Sequence, residues 1–129
     1  MGDSLPWELK LTLRRGCIYH YQDRTLSSGE PHYFIVINAD PLGQQTLLLT
    51  IASSQVEKVK KRRTNLPPET LIEILPSDCE AFTKKSIVDC NKVFTKSLAE
   101  LSELHQKRAL KEKGNLPAKL LEKPITALH

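Results

Sequence analysis

Residues 30–55 read EPHYFIVINADPLGQQTLLLTIASSQ, and the reading of this stretch decides the fold. Tyr33 to Ile37 and Leu47 to Ile51 are two short runs of aromatic, β-branched and leucine side chains, which is strand composition. Between them lies Asn38-Ala39-Asp40-Pro41-Leu42-Gly43, where Asp offers a side-chain cap, Pro a fixed φ and Gly a tolerated positive φ. Neither run alternates cleanly. Each therefore reads as a central strand buried on both faces, or as one closed into a small barrel. The polar Ala52-Ser53-Ser54-Gln55 follows where the second strand surfaces, and such exits are where small β-folds carry function.

Outward from this pair, Cys17 to Tyr21 reads as a first strand after the basic turn Arg14-Arg15-Gly16, and Gln22 to Glu30 reads as an exposed loop. Residues 1–12 are expected to be a loose leader whose Pro6-Trp7 packs on the body. Val56 to Arg63 places Lys58, Lys60, Lys61, Arg62 and Arg63 within six residues, before Pro67-Pro68. That run is either a solvated hairpin tip or a phosphate-contacting edge. Thr70 to Leu75 is a further strand candidate. Cys79 to Phe82 is expected to form a single helical turn capped by Asp78, and Ser86 to Val93 a further extended segment. From Thr95 the period changes: Ser97 and Glu100 form a capping box, and Leu98, Leu101, Leu104, His105 and Ala109 fall on one side of a helix expected to end at Gly114. Asn115 to Glu122 reads as a second, shorter helix halted by Pro124.

The expected architecture is thus mostly β, a strongly bent antiparallel barrel-like sheet with C-terminal helices. Phe34, Val36, Leu48, Leu49, Ile51, Val88 and Leu101 are its expected core. At 129 residues the chain is one domain, residues 1–129, with its core over 14–124. Cys17, Cys79 and Cys90 are odd in number and lack CxxC spacing, which argues against a disulfide framework and fits a reducing cytoplasm. The four histidines have no metal-ligand spacing, and no apolar run is long enough to span a bilayer. Nineteen basic against fifteen acidic side chains permit a polyanionic partner without demanding one.

The order of elements resembles the PemK/MazF family of toxin endoribonucleases over roughly residues 14–124. Gly16-Cys17-Ile18-Tyr19-His20-Tyr21 is similar to the family's opening glycine and strand, Gln22 to Pro31 to its polar loop, and Phe34 to Asn38 to the strand that follows. Leu48-Leu49-Thr50-Ile51-Ala52-Ser53-Ser54-Gln55 resembles the strand and short segment holding the family's catalytic hydroxyl. Ser86 to Val93 is similar to its later serine-headed strand, and Gly114-Asn115-Leu116-Pro117 with Leu120-Leu121 to its glycine and closing helix. Two departures stand out. Where the family carries an Arg-Pro pair this chain has His32-Tyr33, and a long helical segment is inserted between Val93 and Gly114.

The resemblance implies an SH3-like barrel, no cofactor, a homodimer, a small antitoxin protein as partner, and cleavage of single-stranded RNA. It places His32 at the catalytic Arg position and Ser53 or Ser54 at the hydroxyl position. Such cleavage needs proton transfer to and from the ribose oxygens and donors facing the charged transition state. An imidazole supplies the first and a serine hydroxyl can supply the second; Arg24, Arg14 or Arg15 would have to replace the lost cation. A histidine at a strand entrance and serines capping a strand end are the structural alternatives. Inactive binding of nucleic acid or of a protein, through Lys58 to Arg63 and with Arg14 and Arg15, is the functional one.

Overall fold

A computed structural model describes residues 5–23, 26, 30–62, 64–65, 71–90 and 92–120. The chain runs α1 (Trp7–Thr12), β1 (Cys17–Tyr21), β2 (His32–Val36), α2 (Pro41–Gln44), β3 (Thr46–Ser53), α3 (Val56–Arg62), β4 (Leu71–Ile74), β5 (Ser86–Asp89), β6 (Phe94–Ser97), α4 (Leu98–Gln106) and β7 (Lys111–Asn115). The eight-residue β3 is the axis. Along one edge it pairs antiparallel with β2, Val36 opposite Leu49 and Tyr33 opposite Ala52. Its other edge is divided, Thr46 to Leu49 going to β6 and Ala52-Ser53 to β5.

The connection between the two organising runs is built as its residues dictate. Asp40 caps α2 by accepting from the Gly43 amide at 3.1 Å, Pro41 starts the turn and Gln45, at φ 58°, ends it. A Cβ at Gly43 would meet the Asp40 carboxylate, which would have to give up its capping position. Asn38 is buried and takes the part of a strand residue: its amide donates to the Thr46 carbonyl and to Gln44 Oε1, both at 2.8 Å, while its Oδ1 accepts from Leu48 N at 3.1 Å.

Both faces of the central strands are apolar. Tyr19, Tyr21, Phe34, Val36, Leu47 and Leu49 pack with Leu9 and Leu13 from the N-terminal segment and Leu101 of α4. On the opposite face Ile18, Ile35, Ile37 and Ala52 pack with Ile72, Ile74, Val88, Phe82, Leu116 and Leu120. Of the expected core, Phe34, Val36, Leu49, Val88 and Leu101 are buried, and Leu48 and Ile51 are half-buried.

The barrel expectation is overturned. Among the described residues the sheet is open, in the order β4-β5-β3-β2-β1-β7 with β6 beside β3, and β4 and β7 each pair with one neighbour. Closure would require those two edges to meet, and β7 presents Lys111, Glu112 and Lys113, exposed charges that blunt an edge. The class is mixed α/β rather than mostly β, because three stretches read as leader, turn and hairpin tip are helices. Leu9 in α1 and Leu5 and Leu13 on either side of it are buried every four residues and tie the expected leader down, while Trp7 is 68% exposed and does not pack on the body.

Around α4 the capping box forms as read, Ser97 Oγ accepting from Glu100 N and Glu100 Oε1 from Ser97 N, each at 3.1 Å. The helix then stops at Gln106, eight residues before Gly114. Arg108 N bonds to the His105 carbonyl and Ala109 N to that of Leu104, with Arg108 in the left-handed region at φ 58°. This is a Schellman stop with an arginine where glycine is usual. It returns the chain along the outer edge of β1, where Lys111 pairs with His20 and Asn115 with Cys17. A free strand edge outweighs the helix propensity of Lys and Glu. Asn115 is therefore strand, Ala118 to Leu120 are helical, and the remainder of the expected last helix lies outside the described residues. At the other corner, Phe82 is buried as expected, but Asp78 turns its carboxylate back onto the Leu75 amide at 2.9 Å.

Candidate active site at the end of the β2–β3 ladder

On the antiparallel β2 and β3 residue numbers rise along one strand as they fall along the other; the last pair is Tyr33 with Ala52, and His32 and Ser53 are the next residues of the two strands. His32 is also the partner of Tyr21 on β1, and Ser53 that of Ile87 on β5. One row, Tyr21–His32–Ser53–Ile87, thus crosses four strands on one face of the sheet. Of the residues singled out by resemblance, His32 and Ser53 thus end adjacent strands one step beyond the last β2–β3 pair, while Ser54 follows the strand.

Each has local chemistry to offer. His32 is half-buried, its ring edge-on to Phe34 at 6.4 Å, and its Nδ1 is buried with no hydrogen-bond partner among the described residues. Ser53 Oγ accepts from the Gln55 amide at 3.1 Å, which leaves the hydroxyl proton available to a further acceptor. Ser54 is exposed in the bend after the strand, beyond the ladder.

The cations divide. Arg14 and Arg15 sit before β1, and Arg14 Nε donates to Asn115 Oδ1 at 3.2 Å. From Gly16 to Tyr21 the strand covers about 16 Å, so both lie at the far end of β1 from His32. Arg24 and Arg63 lie outside the described residues. The other four basic residues are on α3, which leaves the sheet directly after Ser53. Val56 and Val59 pack against Ile87, Lys60 is ion-paired with Glu73, and Lys58, Lys61 and Arg62 are exposed at i, i+3, i+4 spacing. The expected hairpin tip is therefore an amphipathic helix with three outward cations.

Lys96 and Asp23, which sequence reading did not single out for the site, stand beside Tyr21 at the end of the row. Lys96 on β6 holds its ammonium 5.3 Å from the Tyr21 ring centroid, 3.6 Å from Asp23 Oδ2 and 3.7 Å from Glu100 Oε2. The Lys96 and Asp23 side chains are only 11% exposed. Tyr21 stacks on Phe34 at 4.2 Å, and its hydroxyl is buried without a partner among the described residues. The available signal was alternation: Phe94 and Lys96 are two apart, so continuing the strand past Thr95 puts Lys96 on the face of Phe94.

On the opposite face His20 packs its ring on Tyr33 at 4.5 Å, and its pKa is lowered, first by burial and then by the charges of Lys113, Lys111 and His32. Burial pushes the Cys90 thiol up to about 12 and Cys17 to about 11, which keeps both protonated and unreactive. Among the described residues no cluster of three or more His, Cys, Asp or Glu side chains could hold a metal ion, and no helix is long and apolar enough to cross a membrane.

The sequence matches no family model and no curated protein. The fold is nevertheless that of the PemK/MazF-like toxin–antitoxin endoribonucleases. It is similar to a mycobacterial endoribonuclease in complex with its cognate antitoxin, with a TM-score of 0.57 and 16% identity over 90% of each chain. It is similar also to a chain of the MazE–MazF structure from Deinococcus radiodurans, with a TM-score of 0.58 and 11% identity over 91% of this chain and 92% of that one. Identities this low speak for the fold alone.

Proposed function

We propose that this chain is the toxin-like member of a toxin–antitoxin pair, an endoribonuclease that cleaves single-stranded RNA without a metal, and that it works as a cytoplasmic homodimer. The observation that carries the reading is the position of His32 and Ser53, each one residue beyond the last pair of the β2–β3 ladder in this fold. The 2′-hydroxyl of the substrate attacks the adjacent phosphorus, the P–O5′ bond breaks, and the 5′-oxygen leaves with a proton. The His32 imidazole supplies the proton transfer, and Ser53 donates to a non-bridging oxygen. Lys58, Lys61 and Arg62 hold the backbone of the strand as it leaves the site. An antitoxin segment covering the same surface would block both.

Pure protein incubated with mixed-sequence single-stranded RNA in EDTA tests this. Cleavage is expected, and its loss in His32→Ala with a large decrease in Ser53→Ala. Cleavage that survives His32→Ala removes His32 from the mechanism. The outward basic face of α3 also favours a second reading, a module of this fold that binds nucleic acid without cutting it. RNA left intact by the parent at high protein concentration, yet bound, would select that reading.

A further inference from the structure

At the outer edge of the sheet the β1–β7 ladder sets His20 opposite Lys111. The His20 ring packs on Tyr33 of β2 at 4.5 Å, and Tyr33 on Phe82 at 5.2 Å, so the row of rings ends at His20, half-exposed beside β7. Lys111 and Lys113, two apart on β7, are both exposed. After burial, their charges are the largest influences on the His20 pKa, which they lower, and His32 of β2 follows. Glu112 between them belongs to the other face, where it acts on Cys17 and Tyr19, and its carboxylate accepts from the Gly114 amide. Across the groove that His20 and Lys111 line, Asp23 and Glu100 are paired with Lys96, and Glu103 with Lys107. Among the described residues no carboxylate pairs with Lys111 or Lys113. An accessible imidazole therefore stands beside two ammoniums whose charge nothing on this face offsets. Charges that only blunt a strand edge can be of either sign and need no imidazole beside them.

We propose that Lys111, Lys113 and His20 form a site for a backbone phosphate of single-stranded RNA, with the two ammoniums as its cations and the imidazole as a hydrogen-bond donor. The inference rests on the reading of the chain as an RNA-binding protein. His20 and His32 stand one row apart at the same end of the sheet, on opposite faces, so RNA that contacts both passes round that end. Charge-assisted donors of this kind suit a phosphate oxygen. The anion offsets the two charges that depress the imidazole, so binding draws a proton onto His20 and is stronger in acid.

The probe is a labelled 2′-O-methyl oligoribonucleotide, which has no 2′-hydroxyl to attack and so separates binding from cleavage. In fluorescence anisotropy across a salt series, Lys111→Gln combined with Lys113→Gln should weaken binding roughly tenfold and lower the salt slope by about 0.7 per lysine. The same charge change at the exposed Lys10 and Lys84 should leave the slope as in the parent. Lys111→Glu with Lys113→Glu keeps the edge charged, so its thermal melt should match the parent while RNA binding is lost. From about pH 8 to about pH 5 the parent should gain a few-fold more affinity than His20→Gln, His32 being common to both. A parent slope in the double Gln variant, an equal loss in the Lys10 and Lys84 pair, or the same pH dependence in His20→Gln overturns the site. Inorganic phosphate that raises the His20 pKa, followed by imidazole NMR, as far as the oligonucleotide does overturns the RNA assignment and leaves a free-anion site. No binding by the parent at low salt is the failure of the RNA reading itself, and the site falls with it.

Discussion

Leu49 and Ser53 are four residues apart on β3 and point to the same face, yet they belong to different kinds of structure. Leu49 lies between Val36 and Phe94, buried in a cluster that draws on both terminal and central segments. Ser53 lies between His32 and Ile87, half-buried, where the main cluster gives way to the small one formed by Val56, Val59 and Ile87. One end is saturated with apolar contacts; at the other an imidazole nitrogen is buried without a partner among the described residues, as is Thr50 Oγ1 midway along the strand. The rigid end fixes the strand direction, and the strand direction sets His32 against Ser53. Such a division predicts that stability and activity separate along a single strand.

Two substitutions break or sharpen that separation. Leu49→Ala should lower unfolding stability by about 2–4 kcal/mol, through lost transfer energy and a residual cavity, while the folded fraction keeps its cleavage rate. Urea melts paired with single-turnover cleavage would measure both. His32→Ala should do the reverse, lowering the rate by about 10²-fold or more and leaving the melt within about 0.5 kcal/mol of the parent. If Leu49→Ala abolishes cleavage in fully folded protein, or His32→Ala unfolds the chain, the two ends of β3 are not independent.

The same contrast explains what could be read in advance. Residues 30–55 were legible because local signals agree there: strand composition on both sides of Asp40-Pro41-Gly43, and a turn that its own residues close. The capping box of α4 was legible for the same reason. Helix α3 was not, since seven residues give Val56 and Val59 as the only buried positions, too few to show a period beside a run of charges. The end of α4 and strand β7 depend on the open edge of β1, which no local pattern in Lys111 to Asn115 reports. Barrel closure failed on the same residues. As for the site, resemblance singled out His32 with Ser53 or Ser54, but only the pairing of β2 with β3 puts His32 and Ser53 at the ends of adjacent strands, and Lys96 required the strand at 94–97 to be recognised first.

A smaller effect concerns α3, which shares the polar end of β3. Replacing Lys58, Lys61 and Arg62 together by Gln should weaken binding to single-stranded RNAs of any sequence about equally, and should reduce the slope of log K against log salt by roughly 0.7 per lost contact. Replacing Lys60 should do less, because its ammonium is already paired with Glu73. An unchanged slope in the triple variant would return the outward face of α3 to the status of a solvated helix.

The smallest effect separates the two faces of the sheet at this end. His20 is the partner of Tyr33 on β1 and lies on the face opposite His32, with Lys111 and Lys113 of β7 on its other flank. Desolvation, followed by the positive charges of Lys113, Lys111 and His32, lowers its folded pKa below 6.5. The unfolded chain, where an imidazole titrates near roughly 6.5, therefore binds more protons than the folded one in the window below that value. Stability rises with pH wherever the unfolded state binds more protons, so the contribution of neutral His20 is complete above about pH 7 and is lost as the pH falls through 6.5. Urea unfolding measured from pH 5 to 8 should accordingly show a shallower pH dependence for His20→Gln than for the parent, the two curves running parallel above neutrality. Because only the slope below neutrality is at issue, any constant change in packing on Tyr33 drops out of the comparison. Parallel curves throughout, or a steeper one for His20→Gln, would mean that the lysines of β7 do not act on His20 and that the β1–β7 edge is electrostatically independent of the site.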